Sequence, residues 1–308
     1  MTLQQLEYIR AVDEYGHFGK AAEACGITQP TLSLMVKKLE EELDVVIFDR
    51  DSHPVVATEV GRRILDKAGV VLYNARQLQE MTKTERQLCS GPVNIGMIST
   101  VAPVIIPGLF RFLYRNHPDM EPLMQEMLSG TIIEKLKKAE IDMGILSSPV
   151  SDPALLEIPL YHERFLAYVS PDNPLHAREQ LDSTRLLDHP VWIIKDGIRQ
   201  FDRTMLAEGE NFHYDTMYEG GRVGNLIYIV NQIGGMTIIP ELHSDLLLYS
   251  MQTNLRPIVN PEVSRTISLV VRKDYIHEEI LNVIIDGIKA TVPASNHEDM
   301  IRHGRLRL

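Results

Sequence analysis

The sequence predicts an α/β protein in three parts: a compact helical head over residues 1–58, a linker helix and hinge over 59–90, and a two-lobed α/β domain over 91–292, with a flexible tail at 293–308. Three observations predict it. Apolar residues recur at helical spacing through the head, one uninterrupted helical pattern follows to about residue 88, and from Pro92 strand-like and helix-like runs alternate.

At 308 residues the chain exceeds one comfortable core. Its 44% hydrophobic and 24% charged residues are those of a soluble globular protein. No apolar run of about 18 residues is present to cross a membrane. The opening "MTLQQLEYIRAVDEYG" lacks a basic segment followed by an apolar one, so a cytoplasmic protein is expected. Cys25 and Cys89 fit neither a zinc-ligand spacing nor a C-x-x-C pair, which excludes a disulfide framework. The formal charge of −11 means that any grip on nucleic acid must come from a local patch.

In the head, Leu3, Leu6, Ile9 and Val12 mark a first helix, and Phe18, Ala21, Ala22 and Cys25 a second. Gly26 stops the second helix, Thr28 can cap a third through its side chain, and Pro30 sits in the third helix's first turn. Leu32, Val36, Leu39 and Leu43 then share one face. Ala21, Ala22 and Gly26 are small enough for the second and third helices to cross closely and steeply, as a helix-turn-helix requires. With the apolar stripe buried, Gln29, Pro30, Ser33 and Lys37 face outward, beside Thr28 and Thr31. Such a face suits a DNA major groove: Gln pairs bidentately with adenine, Ser and Thr bond to bases or phosphate, and Lys neutralises phosphate. The plain alternative is a solvated surface helix. Residues 45–58 read as a short hairpin wing whose Arg50 can enter the flanking minor groove, or else pair with Asp49 or Asp51.

Charge speaks against the groove, because Arg10, Lys20, Lys37, Lys38 and Arg50 face ten acids within residues 1–58. Glu40, Glu41 and Glu42, however, are expected at the far end of the third helix, while Lys20, Lys37, Lys38 and Arg50 border the groove. A dimer doubles the phosphate contacts and adds Arg62, Arg63 and Lys67. The long helix offers a dimer seam in Gly61, Ile64, Ala68, Val71, Ala75 and Leu78, spaced alternately by three and four; the alternative is a helix packed on its own head.

Ser90-Gly91-Pro92 breaks the chain before the α/β part. "VNIGMI", "PLMQEML" and "DMGILS" read as strands around helical runs, and "RFLAYVS", "VWIIKDG", "GMTIIPE" and "RTISLVVRK" complete two lobes with a return crossing. Ligands of such sheets sit beyond the strands' carboxyl ends, where Ser99, Thr100, Ser129, Thr131, the Lys195-Asp196-Gly197 turn and Gly221 are expected to converge. Singly, each of these reads as a helix cap or a turn. No nucleophile elbow, phosphate loop, dinucleotide fingerprint or metal cluster occurs, so neither an enzyme nor a cofactor is expected. The other reading of the chain is a small-molecule receptor whose helical head binds protein rather than DNA.

The run "LQQLEYIRAVDEYGHFGKAAEACGITQPTLSLMVKKLEEELDVVIFDR" closely resembles the DNA-binding domain of LysR-type transcriptional regulators. That resemblance implies a winged helix-turn-helix, an effector domain similar to periplasmic binding proteins, a dimer that pairs into a tetramer on double-stranded DNA, and contact with RNA polymerase. "SGPVNIGMISTVAPVIIPGLF", "KDGIRQFD" and "GGMTIIPEL" are most similar to the peroxide-sensing OxyR group. That group carries histidine and its reactive cysteine directly after the Asp-Gly pair. Here Ile198 and Arg199 stand there, and no resolving cysteine follows. Thr100, Ser129 and Asp202 match the polar positions around the group's reactive centre. The expectation is a pocket for a small anion or carboxylate, with Arg199 as charge-assisted donor and Thr100 and Ser129 as hydroxyl donors; the alternative is an Arg199 tied to Asp196 or Asp202.

Overall fold

The computed structural model describes residues 1–80, 89–188, 191–194, 217, 218 and 222–297. It divides into two compact units, one of Met1–Gln87 with Lys137–Glu140 and the other of Leu88–Leu136 with Ile141–Leu308.

The first unit is helical with a two-stranded wing. Helix α1 (Leu3–Tyr15) starts on a reciprocal cap between Thr2 and Gln5 and ends at Gly16, whose φ of 57° suits glycine. Helix α2 (Phe18–Ala24) is capped by His17, whose Nδ1 accepts from the Gly19 and Lys20 amides. Helix α3 (Gln29–Leu43) begins at Thr28, but the expected side-chain cap is absent: the Thr28 hydroxyl lies 2.8 Å from that of Thr31 instead. Leu6, Ile9, Val12, Ala21, Ala22, Leu32, Val36 and Leu39 form the core with Ile47 and Phe48, while Leu3 and Leu43, at the ends of their stripes, remain exposed. Strands β1 (Phe48–Asp49) and β2 (Val56–Ala57) pair antiparallel as the wing.

Helix α4 (Glu59–Glu80) is launched by Thr58, whose hydroxyl accepts from the Gly61 amide at 2.9 Å and donates to the Val46 carbonyl at 2.7 Å. A Cβ on Gly61 would fall 2.0 Å from the Ile47 carbonyl oxygen, so glycine is required where α4 crosses the segment entering the wing. Gly61→Ala is expected to cost about 1–3 kcal/mol through this backbone clash, despite alanine's better helix propensity. Thermal unfolding of the variant checks it.

In the second unit the strands run β4 (Met120–Glu126), β3 (Gly91–Met97), β5 (Met143–Ser147), β12 (Ser264–Arg272), β6 (Leu155–Val169), β10 (Met236–Pro240), β8 (Val191–Ile194) and β9 (Met217–Tyr218), with β11 (Leu255–Val259) pairing β6 and β7 (Leu181–Asp182). Strand β3 (Gly91–Met97) lies parallel to β4 (Met120–Glu126) and β5 (Met143–Ser147), with α5 (Ala102–Asn116) and α6 (Ser129–Lys137) as crossovers. The long β6 (Leu155–Val169) makes two lobes from one sheet. Residues 155–164 pair with β12 (Ser264–Arg272) in the first lobe, and 165–169 with β10 (Met236–Pro240) in the second. The second lobe adds β7 (Leu181–Asp182), β8 (Val191–Ile194), β9 (Met217–Tyr218), α7 (Val223–Ile233), the one-turn α8 (Tyr249–Gln252) and β11 (Leu255–Val259). The chain returns through residues 260–263 into β12 and ends its first lobe with α9 (Glu278–Lys289). The beginning of the stretch expected to be flexible is tied down: Asn296 donates to the His162 carbonyl at 3.0 Å, and His297 bridges to Tyr161.

Candidate nucleic-acid interface and effector cleft

Helix α3 presents the expected face. Thr28, Gln29, Pro30, Thr31, Lys37 and Lys38 are exposed, as is Lys20 on α2, and Ser33 is half-buried. The acids nearby are largely spent on local partners. Glu42 holds the N-terminal ammonium at 2.6 Å, Glu41 lies 3.6 Å from Lys37, and Glu40 pairs with Arg50 at 2.8 Å. The exposed Lys37–Glu41 pair contributes only about 0.3–0.5 kcal/mol and gives way to a phosphate. Glu40 therefore does not point away from the face, as its helix position suggested.

Arg50 departs from the expected pairing with its neighbouring acids. It does not pair with Asp49 or Asp51 and does not extend freely from the wing: Nη2 donates to Glu40, Nη1 donates to Ser33 Oγ at 3.3 Å, and the guanidinium lies 5.0 Å from the Phe18 ring centre. Asp49 accepts instead from the Ser52 hydroxyl and the Asp51 amide, bonds that hold its carboxyl below the usual range. Arg62, expected to be open to phosphate, pairs with Asp13 at 2.9 Å.

The proposed dimer seam splits. Ala68 is buried in the head's own core beside Leu65, Ile64 packs against that core, and Gly61 is buried. The first turns of α4 thus complete the head, with Leu65 and Ala68 in one core with Leu6, Ile9 and Val12 of α1. Further along, Val71 and Leu78 are exposed, 42% and 68%, and Ala75 is half-exposed.

In the second unit, Ser99 and Thr100 form the turn from β3 to α5, Ser129 opens α6, and Thr131 is exposed in its first turn. Thr100 is the centre of a buried polar cluster that composition and spacing did not reveal. Arg265 Nη1 donates to its hydroxyl at 2.9 Å and Nη2 to its carbonyl at 3.3 Å, while His243 Nε2 donates to the same carbonyl at 2.9 Å. Arg265 is matched by Glu163, which accepts from Nε at 2.9 Å and Nη2 at 2.7 Å; their side chains are 3% and 2% exposed. These two residues are cross-strand neighbours on β12 and β6, where the chain passes between lobes. The Phe165 ring centre lies 5.4 Å from the guanidinium. Since the Thr100 oxygen accepts from Arg265, its own proton remains to be donated. Arg199, Asp202 and Gly221, together with the Lys195-Asp196-Gly197 turn, lie outside the described residues.

Burial pulls His243 down from 6.5 to about 4; the bond to the Thr100 carbonyl opposes this and the Arg265 charge adds to it. The imidazole is therefore neutral at neutral pH. On acidification the unfolded chain takes up this proton first, so stability is full above about pH 6.5 and declines as pH falls toward about 4, by on the order of 3 kcal/mol. His243→Gln, which keeps an N–H donor, is expected to flatten that part of the profile, measured by urea unfolding between neutrality and pH 4.5.

Two family models cover most of the chain: the bacterial regulatory helix-turn-helix protein of the LysR family over residues 3–62, and the LysR substrate binding domain over 86–293. The chain belongs to the LysR family. It is a DNA-binding transcriptional regulator of the OxyR-like kind, not an enzyme, and regulators of this kind form oligomers. It is 30% identical over 301 residues to the hydrogen peroxide-inducible genes activator of Haemophilus influenzae, covering 94% of this chain and 98% of that one. To the dual regulator OxyR of Escherichia coli K12 it is 31% identical over 279 residues, covering 88% and 90%. A full-length OxyR of Pseudomonas aeruginosa, with aspartate in place of a cysteine, matches with a TM-score of 0.83 and 30% identity over 97% of this chain and 98% of that chain. Among the described residues of this LysR regulator, no helix is long and apolar enough to cross a membrane.

Proposed function

We propose that this LysR regulator reads double-stranded operator DNA with Gln29, Pro30, Thr31 and Ser33, grips phosphate with Lys20, Lys37 and Lys38, and responds to a small anion or carboxylate in the inter-lobe cleft rather than to a disulfide. A cytoplasmic oligomer acting on RNA polymerase is the setting this reading implies, with Val71, Ala75 and Leu78 as the part of α4 left to meet a second copy.

The observation that carries the ligand reading is the framework around Thr100. A hydroxyl with a proton to donate is fixed at the carboxyl end of β3 by a charge-matched pair and a neutral histidine from the other lobe. Because Glu163 already neutralises Arg265, the positive charge for an anion is assigned in this reading to Arg199. The family's switch lacks its matching sulfur: Arg199 stands in sequence where the OxyR group has its reactive cysteine, and the Cys25 thiol is pushed up by burial and then by Glu7, away from the reactive thiolate.

Thermal unfolding of the full-length protein with a panel of inorganic anions and carboxylates tests this. A ligand at 100 times its dissociation constant adds about 2.7 kcal/mol to the domain's stability. The expected result is stabilisation by at least one anion and its loss in Arg199→Ala; no shift with any anion, together with an unchanged Arg199→Ala protein, defeats the ligand reading.

A further inference from the structure

Glu40 occupies an unusual place for an acid beside a surface that meets phosphate. Its side chain is only 11% exposed. One carboxylate oxygen accepts from the amides of Ile47 at 2.8 Å and Phe48 at 3.3 Å, and the other from Arg50 Nη2 at 2.8 Å. A single side chain on α3 thus fixes both the residues that enter β1 and the arginine that leaves it. The other side of Arg50 is fixed as well, by Ser33 and by the Phe18 ring, which itself stands edge-on to Phe48 with ring centres 6.1 Å apart. Arg50 remains 40% exposed. Of a guanidinium's five N–H groups, these bonds use two, leaving donors for a further acceptor.

We infer that Glu40 is a positioning residue for DNA recognition: it holds Arg50 beside Ser33, so that one guanidinium can meet a phosphate while Gln29 and Ser33 meet base edges. This rests on the reading of the α3 face given above. An unrestrained arginine has rotamer entropy to lose on binding, and here that ordering is done in the folded protein. The carboxylate also repels phosphate, so its presence weakens attraction to DNA in general. What it contributes is register, and the two effects have opposite signs on different duplexes.

Glu40→Gln separates them. Glutamine's oxygen keeps the two wing amides satisfied, but the charged partner of Arg50 is gone. The full-length protein is used to enrich duplexes from a random-sequence pool, and dissociation constants are measured on an enriched duplex and on its scrambled counterpart over a range of salt. For Glu40→Gln the ratio of the two is expected to fall about tenfold, with affinity for the scrambled duplex equal to or above that of the parent. Arg50→Lys, which keeps the charge and loses the fork, is expected to lower the ratio likewise, and the double variant to lose little more than either.

An unchanged ratio in Glu40→Gln overturns the inference, as does a proportional loss on both duplexes, which indicates a structural acid only. If Glu40→Gln does not fold, Arg50→Lys decides alone, and a preserved ratio there overturns it. Failure of the underlying reading looks different: Gln29→Ala with Ser33→Ala then binds the enriched duplex as tightly as the parent.

Discussion

Arg265→Ala is expected to lower the stability of the α/β domain by about 3–5 kcal/mol, because it leaves the Glu163 carboxylate in the interior without its cation. For a domain of this size each kcal/mol moves the unfolding temperature by roughly 2–4 °C, so the effect is visible in a simple melt. Glu163→Ala is expected to cost at least as much, since the orphaned guanidinium cannot shed its charge. Replacing both at once with apolar side chains of similar volume is expected to recover most of the loss, because the pair's attraction is set against the desolvation of two ions. The recovered protein should nevertheless bind no effector, since the support of the Thr100 hydroxyl has gone. Unfolding melts of the three variants, with the ligand panel repeated on the double one, check each part.

Gln29→Ala combined with Ser33→Ala is expected to reduce affinity for an enriched operator by about 100-fold or more, a lost base contact being worth about 1–3 kcal/mol and each dimer losing two sets. Stability should barely change, because Gln29 is exposed and Ser33 gives up only a 3.3 Å bond from Arg50. Binding to unrelated duplex and its salt dependence should also hold, since no charge is removed. Lys37→Ala serves as the contrasting change: it is expected to weaken every duplex alike and to lower the steepness of the salt dependence. Mobility shifts at several ionic strengths distinguish the two patterns.

The head was the most legible part of the chain, and the reason is local. Leu6, Ile9, Val12, Leu32, Val36 and Leu39 announce their helices by period, and all are buried. Pro30 marks a helix start that it cannot interrupt. The strand and helix alternation of the α/β part was legible for the same reason, as was the crossing back between lobes. What stayed hidden depends on side chains distant in sequence. His17 caps α2 through its ring, a role outside the usual capping residues. The Glu40 to Arg50 bond joins a helix to a wing, and no spacing rule brings it out.

The α4 repeat of three and four is ambiguous for the same reason: it describes both a dimer seam and a helix packed on its own head, and Ala68 is buried in the head's core while Leu78 stays exposed. At the cleft, Thr100 was legible as a residue beyond a strand end. Arg265, Glu163 and His243 were not, because their meeting depends on the register of β12 against β6 and on a 3-10 turn of the other lobe. The available signal was an arginine near the start of a strand whose centre is largely apolar, Arg265 in "SRTISLVVR".

The most direct measurement is a cycle between Gln29→Ala and 7-deaza-adenine, an analogue lacking the N7 acceptor, placed in turn at each adenine of an enriched duplex. The parent protein is expected to lose about tenfold in affinity at one adenine per half-site, and the Gln29→Ala protein to lose nothing more there. A parent protein indifferent to the analogue at every adenine, or a variant as sensitive as the parent, contradicts base reading by the start of α3.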